Sequence, residues 1–322
     1  MPAKSLQVAV CLPARNEWAS LQALIPEIAA LKEKWELVDL HVIVFDDGSS
    51  DGTSTHLRDY ATADFHLSVL RSPSPRGKTL ALAAGFRYAL EAGAEYIFMM
   101  DADGQDDPRY LSEMLEKLIS GAELVNGRRS NRKHSLIKRQ SSRMFNGLVR
   151  AMTGLSVLDL NSGLKGFRRG AAEYLSSFLY GELHRVLLVI AFQAGFRIDE
   201  VRVVNRARTA GTTKYGAGRG WRGILDLFAW QALARYQTRP GHLFSGLGLV
   251  FFFGGFLSLL GGIIALPSVS DPLLAWIAVV LICFGIGVLL VGLGFIAELV
   301  LFLSKAPELN YRVVIEQSGT KD

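Results

Sequence analysis

Cysteine is almost absent from this chain. Its 322 residues hold two, Cys11 in a short apolar run and Cys283 inside a long apolar block. Neither has metal-site spacing, and contexts so different do not favour a disulfide, so a reducing compartment is expected for the globular part. A P-loop is missing too, because Arg76-Gly77-Lys78 lacks the Gly-x-x-x-x-Gly-Lys spacing. The chain has no internal repeat and no low-complexity segment. Its short polar start, Met1 to Gln7, runs straight into a strand pattern and gives no sign of a signal peptide. Charge of one sign is not in great excess: 35 Lys and Arg stand against 30 Asp and Glu, a net +5. The basic residues crowd into Arg128–Arg150 and Arg197–Arg239. Phosphates or lipid headgroups are therefore the expected anionic partners, and no nucleic acid is expected.

What is present alternates. Leu6–Leu12 and Leu40–Phe45 read as buried strands, with Phe65–Leu70 and Tyr96–Met100 as further ones. Leu21, Leu24, Ile25, Ile28 and Leu31 share a helix face, Gly77–Glu91 reads as a helix, and Pro108 opens another. Such alternation predicts an α/β fold with a mostly parallel sheet. Ligands of these sheets bind beyond the carboxyl ends of the strands. The clusters Arg15–Glu17, Asp46–Thr53 and Asp101–Gln105 follow strand ends, so they are expected on one rim.

The character changes after Gly216. Trp221, Ile224, Leu225 and Phe228 mark one face of an amphipathic helix, expected to lie on a membrane surface. Leu243–Leu266 and Leu273–Ala297 are uncharged and long enough to span a bilayer, which takes about 20 residues. The linker Pro267–Pro272 has no Lys or Arg, whereas Arg235, Arg239, Lys305 and Arg312 flank the pair on the other side. The positive-inside rule then puts both termini in the cytoplasm. Glu298 is expected near the cytoplasmic end, in reach of headgroup water. The glycine-rich spans also leave room for a homo-oligomer.

Asp101-Ala102-Asp103 carries the clearest chemistry. Two Asp one residue apart can turn hard oxygens to a common Mg²⁺ or Mn²⁺, with Gln105 as a further oxygen. A diphosphate needs such a cation to leave. The bland account is a turn in which Asp106 or Asp107 caps the next helix. Asp46-Asp47 suits an Asx-type turn and equally a contact to ribose or base. Asn16 or Glu17 suits a helix start. Arg76 and Lys78, beside a helix N-terminus, suit phosphate.

In order along the chain, Leu12–Glu17, Asp46–Thr53, Arg76-Gly77-Lys78, Asp101–Gln105, Gly127-Arg128-Arg129, Asp159–Arg169, Arg206–Tyr215 and Arg239-Pro240 form a set. That ordered set resembles glycosyltransferase family 2, and within it the polyprenyl-phosphate glycosyltransferases, the group that includes dolichol-phosphate mannose synthase. The resemblance implies a Rossmann-like GT-A fold over 1–215 on the cytoplasmic side. An amphipathic segment 216–241, a two-helix membrane hairpin 242–303 and a cytoplasmic tail 304–322 would follow. It implies that Pro13, Arg15, Glu17, Phe45 and Asp47 contact base and ribose, with Lys78 also on the nucleotide sugar. Asp101, Ala102, Asp103 and Gln105 would form the diphosphate and metal site. Arg129, Arg208 and Lys214 would meet phosphates, and Arg143 the acceptor phosphate; Asp103, Arg129 and Arg143 are then the expected catalytic residues. The chain departs from the family pattern at Arg15, Gly104, Asn205 and Thr213, and Gly104 is expected to loosen the metal loop.

The activity so implied moves a sugar from a GDP- or UDP-linked donor to undecaprenyl or dolichyl phosphate, with inversion. One alternative is transfer to a hydroxyl of a lipid-linked glycan, which needs a carboxylate base; Asp159 is the nearest by sequence. A second is a non-catalytic nucleotide-binding scaffold, disfavoured by the intact carboxylates and arginines. A processive synthase would carry Gln-x-x-Arg-Trp, but Gln231 to Arg235 is one residue too long and Tyr236 follows.

Overall fold

The computed structural model describes residues 5–35, 37–59, 66–130, 239–265 and 273–304, together with 147–206 and 227–236 apart from single or paired positions. The chain divides into two compact units, Met1–Leu227 and Phe228–Asp322.

The first unit alternates strands and helices. In order they are β1 (Leu6–Ala14), α1 (Trp18–Ala29), β2 (Val38–Asp46), α2 (Thr53–Asp59), β3 (His66–Arg71), α3 (Lys78–Glu91), β4 (Tyr96–Met99) and α4 (Tyr110–Ile119). Then come β5 (Leu124–Arg129), β6 (Lys165–Arg168), α5 (Arg169–Ser176), α6 (Leu187–Gln193) and β7 (Ile198–Val203). The seven strands form one sheet in the order β3-β2-β1-β4-β6-β5-β7. Neighbours are parallel except that β6 runs antiparallel to both β4 and β5.

Both faces of the central strands are covered, so β1 and β4 carry continuous buried runs rather than an alternation. Leu21, Leu24, Ile25 and Ile28 bring the α1 face into this core with Val8, Val10, Val42 and Phe98. The strands after residue 120 were not foreseen. β6 is the short run Lys-Gly-Phe-Arg, and β7 carries Asp199, Glu200 and Arg202, so neither shows an apolar signature.

Among its described residues, the second unit contains two long helices, α7 (Pro240–Ala265) and α8 (Leu273–Ser304). Each contains a 25-residue segment long and apolar enough to cross a membrane. At ~1.5 Å per residue either clears a hydrocarbon core of about 30 Å. Both helices extend past the expected spans. Pro240 starts α7 earlier, at the helix position where a missing N–H costs nothing. α8 continues through Glu298, whose Oε1 accepts the Gly241 N–H at 3.1 Å and so caps α7. Gly241, Gly248 and Gly255 recur every seventh residue and face Glu298, Gly287 with Val291, and Cys283 with Phe284. Small residues here let the two helix backbones approach closely, a packing also common between membrane helices. The expected amphipathic helix, the linker and the tail lie mostly or wholly outside the described residues.

Candidate active site

The three polar clusters do meet on one rim, and hydrogen bonds tie them together. β1 and β2 end in register, with Pro13 opposite Phe45 and Ala14 opposite Asp46. Asn16 has φ of 53°, a left-handed conformation that Asn tolerates better than most residues. That turn lets the Asn16 N–H donate to Ser49 Oγ at 2.8 Å while its side-chain oxygen accepts the Ser50 N–H at 2.8 Å. Asp51 accepts the Trp18 N–H at the start of α1. Arg15 is exposed, and Glu17 is half-buried and opens α1. Asp46 is buried and caps the Ser49 N–H. Asp47 accepts the N–H groups of Arg76 and Gly77 at 2.6 and 2.9 Å. It thereby fixes the loop that presents Lys78, whose ammonium pairs with Asp101.

Asp101 follows β4. Burial opposes its charge, yet the Lys78 ammonium, helped by Lys165 and His184, holds its carboxyl below the usual range. Asp103 Oδ1 accepts the Gln105 N–H at 3.1 Å. The Gln105 carbonyl accepts the Arg206 N–H at 2.8 Å, and Asp106 approaches the Asp101 N–H at 3.5 Å. Gly104, at φ of 73°, permits this turn. The loop is thus tied at several points, and glycine shapes it rather than loosening it. Asp107, not Asp106, serves the following helix, accepting the Arg109 N–H at 3.0 Å.

Asp106 belongs instead to the carboxylate cluster. Burial, then the charges of Asp101 and Asp103, push its carboxyl up to about 7. Crowded acids of this kind suit a cation. Yet among the described residues no three His, Cys, Asp or Glu side chains form a ready metal site. The donor set therefore fits a cation shared between one or two carboxylates and substrate phosphates, as Mg²⁺ prefers, and not a cage built by protein alone.

Arg129, at the end of β5, forks onto Asp159: Nε to Oδ2 at 2.6 Å and Nη2 to Oδ1 at 2.9 Å. Asp159 is 5% exposed. Asn126 secures the same turn by donating to the Asp159 carbonyl at 2.9 Å. Nearby are three groups that sequence reasoning missed. Lys165 is 2% exposed, and burial with the nearby Lys78 charge pushes its pKa down to about 7. His184, packed with its Nδ1 2.7 Å from Thr79 Oγ1, is driven down to about 3 by burial and then Lys78. It is a neutral imidazole near pH 7. Asn205, noted only as a departure from the pattern, donates to Asp106 Oδ1 at 3.3 Å. A lysine inside a short strand was the one sequence signal for Lys165; a lone histidine gave none for His184. Arg143, Arg208 and Lys214 lie outside the described residues.

Comparison with known proteins shows the family and the fold. The model of a family described as Glycosyl transferase family 2 matches residues 9–175. The dodecaprenyl-phosphate galacturonate synthase of Rhizobium johnstonii is 34% identical, over 77% of this chain and 73% of the relative. The undecaprenyl-phosphate 4-deoxy-4-formamido-L-arabinose transferase of Aeromonas hydrophila is 28% identical, over 90% of this chain and 87% of its own. Among solved structures, Mycobacterium tuberculosis glucosyl-3-phosphoglycerate synthase with Mn²⁺, UDP-glucose and phosphoglyceric acid superposes with a TM-score of 0.52. Its identity is 20%, with 71% of this chain and 80% of that one covered, a likeness of fold. With the family model, the relatives and the sheet in agreement, the chain belongs to glycosyltransferase family 2, as a GT-A enzyme related to the polyprenyl-phosphate sugar transferases.

Proposed function

We propose that this enzyme transfers a sugar from a GDP- or UDP-linked donor to the phosphate of a polyprenyl phosphate, undecaprenyl or dolichyl, with inversion. The two relatives named above supply the acceptor class by their names. The observation that carries a phosphate acceptor over a hydroxyl acceptor is the Arg129–Asp159 fork. A hydroxyl needs a base to take its proton. Asp159, with both oxygens engaged by one guanidinium, is a poor base, and Asp106, though its carboxyl is pushed up to about 7, is buried and takes the Asn205 amide. A phosphate monoester, with its second pKa roughly 6, is already a dianion near pH 7 and needs none.

In this reading Pro13, Arg15, Glu17, Phe45 and Asp47 line the nucleoside end. Lys78 and Arg129, with Arg208 and Lys214, meet the donor phosphates. Arg143 draws in the acceptor phosphate against its repulsion from the donor. A phosphate oxygen bonds to the anomeric carbon from the face opposite the diphosphate as the bond to the nucleoside diphosphate breaks, which inverts the centre. Asp101, Asp103 and Gln105 would hold the cation, with the Ala102 backbone beside the diphosphate. Bound Mg²⁺ or Mn²⁺ would neutralise the departing diphosphate. Lys78, paired with Asp101, would turn to phosphate once the donor arrives. The helices α7 and α8 suit an acceptor that stays in a bilayer, and we place the catalytic unit and both termini on its cytoplasmic side, with 216–241 at the surface.

Asp103→Ala tests the cation site. It is expected to lower turnover by about 100- to 1,000-fold, the scale of losing one electrostatic contact to a leaving group. EDTA is expected to stop the wild-type enzyme, and added Mn²⁺ or Mg²⁺ to restore it. Full turnover by wild-type protein in chelator contradicts the assignment.

A further inference from the structure

We propose that Lys165 and Gly163 are positioning residues for the carboxylate site, because together they fix the turn that backs Asp101 and Asp106. The inference rests on reading that cluster as the cation and diphosphate site.

Lys165 lies on β6, opposite Met99 of β4 and Asn126 of β5. An ammonium in a sheet core costs several kcal/mol unless it is bonded and compensated. Its head group donates to the carbonyl of Ser162, three residues back. The same turn is held elsewhere. Ser162 Oγ accepts the Leu164 N–H at 3.3 Å, and the Leu164 carbonyl accepts the Gly127 N–H at 3.0 Å. Asp159, at the start of the segment, is fixed by Arg129. Lys165 is thus the buried side chain that ties the middle of this segment to the sheet.

Between those anchors sits Gly163. A Cβ there would fall 2.7 Å from Asp101 Oδ2, 2.8 Å from Asp101 Cγ and 2.9 Å from Asp106 Oδ2. The backbone at 163 is not left-handed, so glycine is needed for space and not for conformation. The two carboxylates lie directly against the turn. Moving the turn, by releasing Ser162 or by adding a methyl at 163, must move the carboxylates. Groups that orient metal ligands from behind typically change metal affinity by about 10- to 100-fold.

The test uses the full-length protein in detergent micelles. Free Mn²⁺ is followed by its EPR signal, with and without UDP or GDP, for wild type, Lys165→Met and Gly163→Ala, and melting is recorded for each. Expected is wild-type Mn²⁺ binding in the presence of nucleotide, and affinity weaker by about 10- to 100-fold in both variants while they still melt cooperatively. A merely structural role would lower melting and leave the Mn²⁺ affinity of the folded protein unchanged. Wild-type affinity in a folded Lys165→Met or Gly163→Ala protein overturns the inference and leaves the function intact. If Lys165→Met does not fold, Gly163→Ala alone decides, since it removes no buried contact. Wild-type protein that binds no Mn²⁺ with either nucleotide overturns the cation site itself, and this inference with it.

Discussion

Arg129 and Asp159 show how one pair can set both stability and chemistry. Asp159 is almost inaccessible, and a guanidinium fork matches its carboxylate. Removing one partner of a buried pair strands the other, at a cost of about 3–5 kcal/mol. Arg129→Met is therefore expected to lower the melting temperature strongly. Arg129→Lys keeps the charge but not the fork, so part of the stability returns while turnover stays low. Thermal melts and turnover assays of the two variants check this; a wild-type melt for Arg129→Met would contradict it. Residue positions were legible where they followed strand ends. Asp47, Asp101 and Asp103 fall where their spacing placed them. Asp106, Lys165 and His184 were not legible, because their weight comes from burial and from neighbours distant in sequence.

Among the elements, β1 to β4 and their helices could be read because each strand is a run of buried apolar residues. β6 could not, since its four residues hold two cations and a glycine, yet it is the strand that brings Lys165 between β4 and β5. Local composition hides an element whose purpose is to carry polar groups into the core. The two long apolar helices are the reverse case: composition announces them but not their register. The register is set by the glycines at 241, 248 and 255, and by Glu298 capping α7. Gly255 faces Cys283, with a Cβ at 255 only 3.1 Å from the Cys283 side chain. Under mild oxidation Gly255→Cys is expected to form an intrachain disulfide with Cys283 once the helices part by a few tenths of an ångström, since a bridge needs Cβ atoms about 3.5–4.5 Å apart. Mass spectrometry of the linked peptides would detect it. Free thiols at both 255 and 283 after oxidation would contradict this helix pairing.

For the whole molecule, a chain that holds both a GT-A unit and a unit of two long apolar helices suits the proposed reaction, which joins a water-soluble donor to a lipid. The fold and the family were visible in the order of eight weak motifs spread over nearly the whole length. The polyprenyl-phosphate acceptor was implied by the same set of motifs; the fork that occupies Asp159, the alternative base, could not be read from sequence, because it depends on geometry. The decisive measurement offers the purified enzyme a panel of radiolabelled GDP- and UDP-sugars with polyprenyl phosphate, or with the matching polyprenol. Label is expected in the lipid phase only with the phosphate, as a product of inverted anomeric configuration. Transfer to the polyprenol, or a product that retains the donor's configuration, would contradict the account.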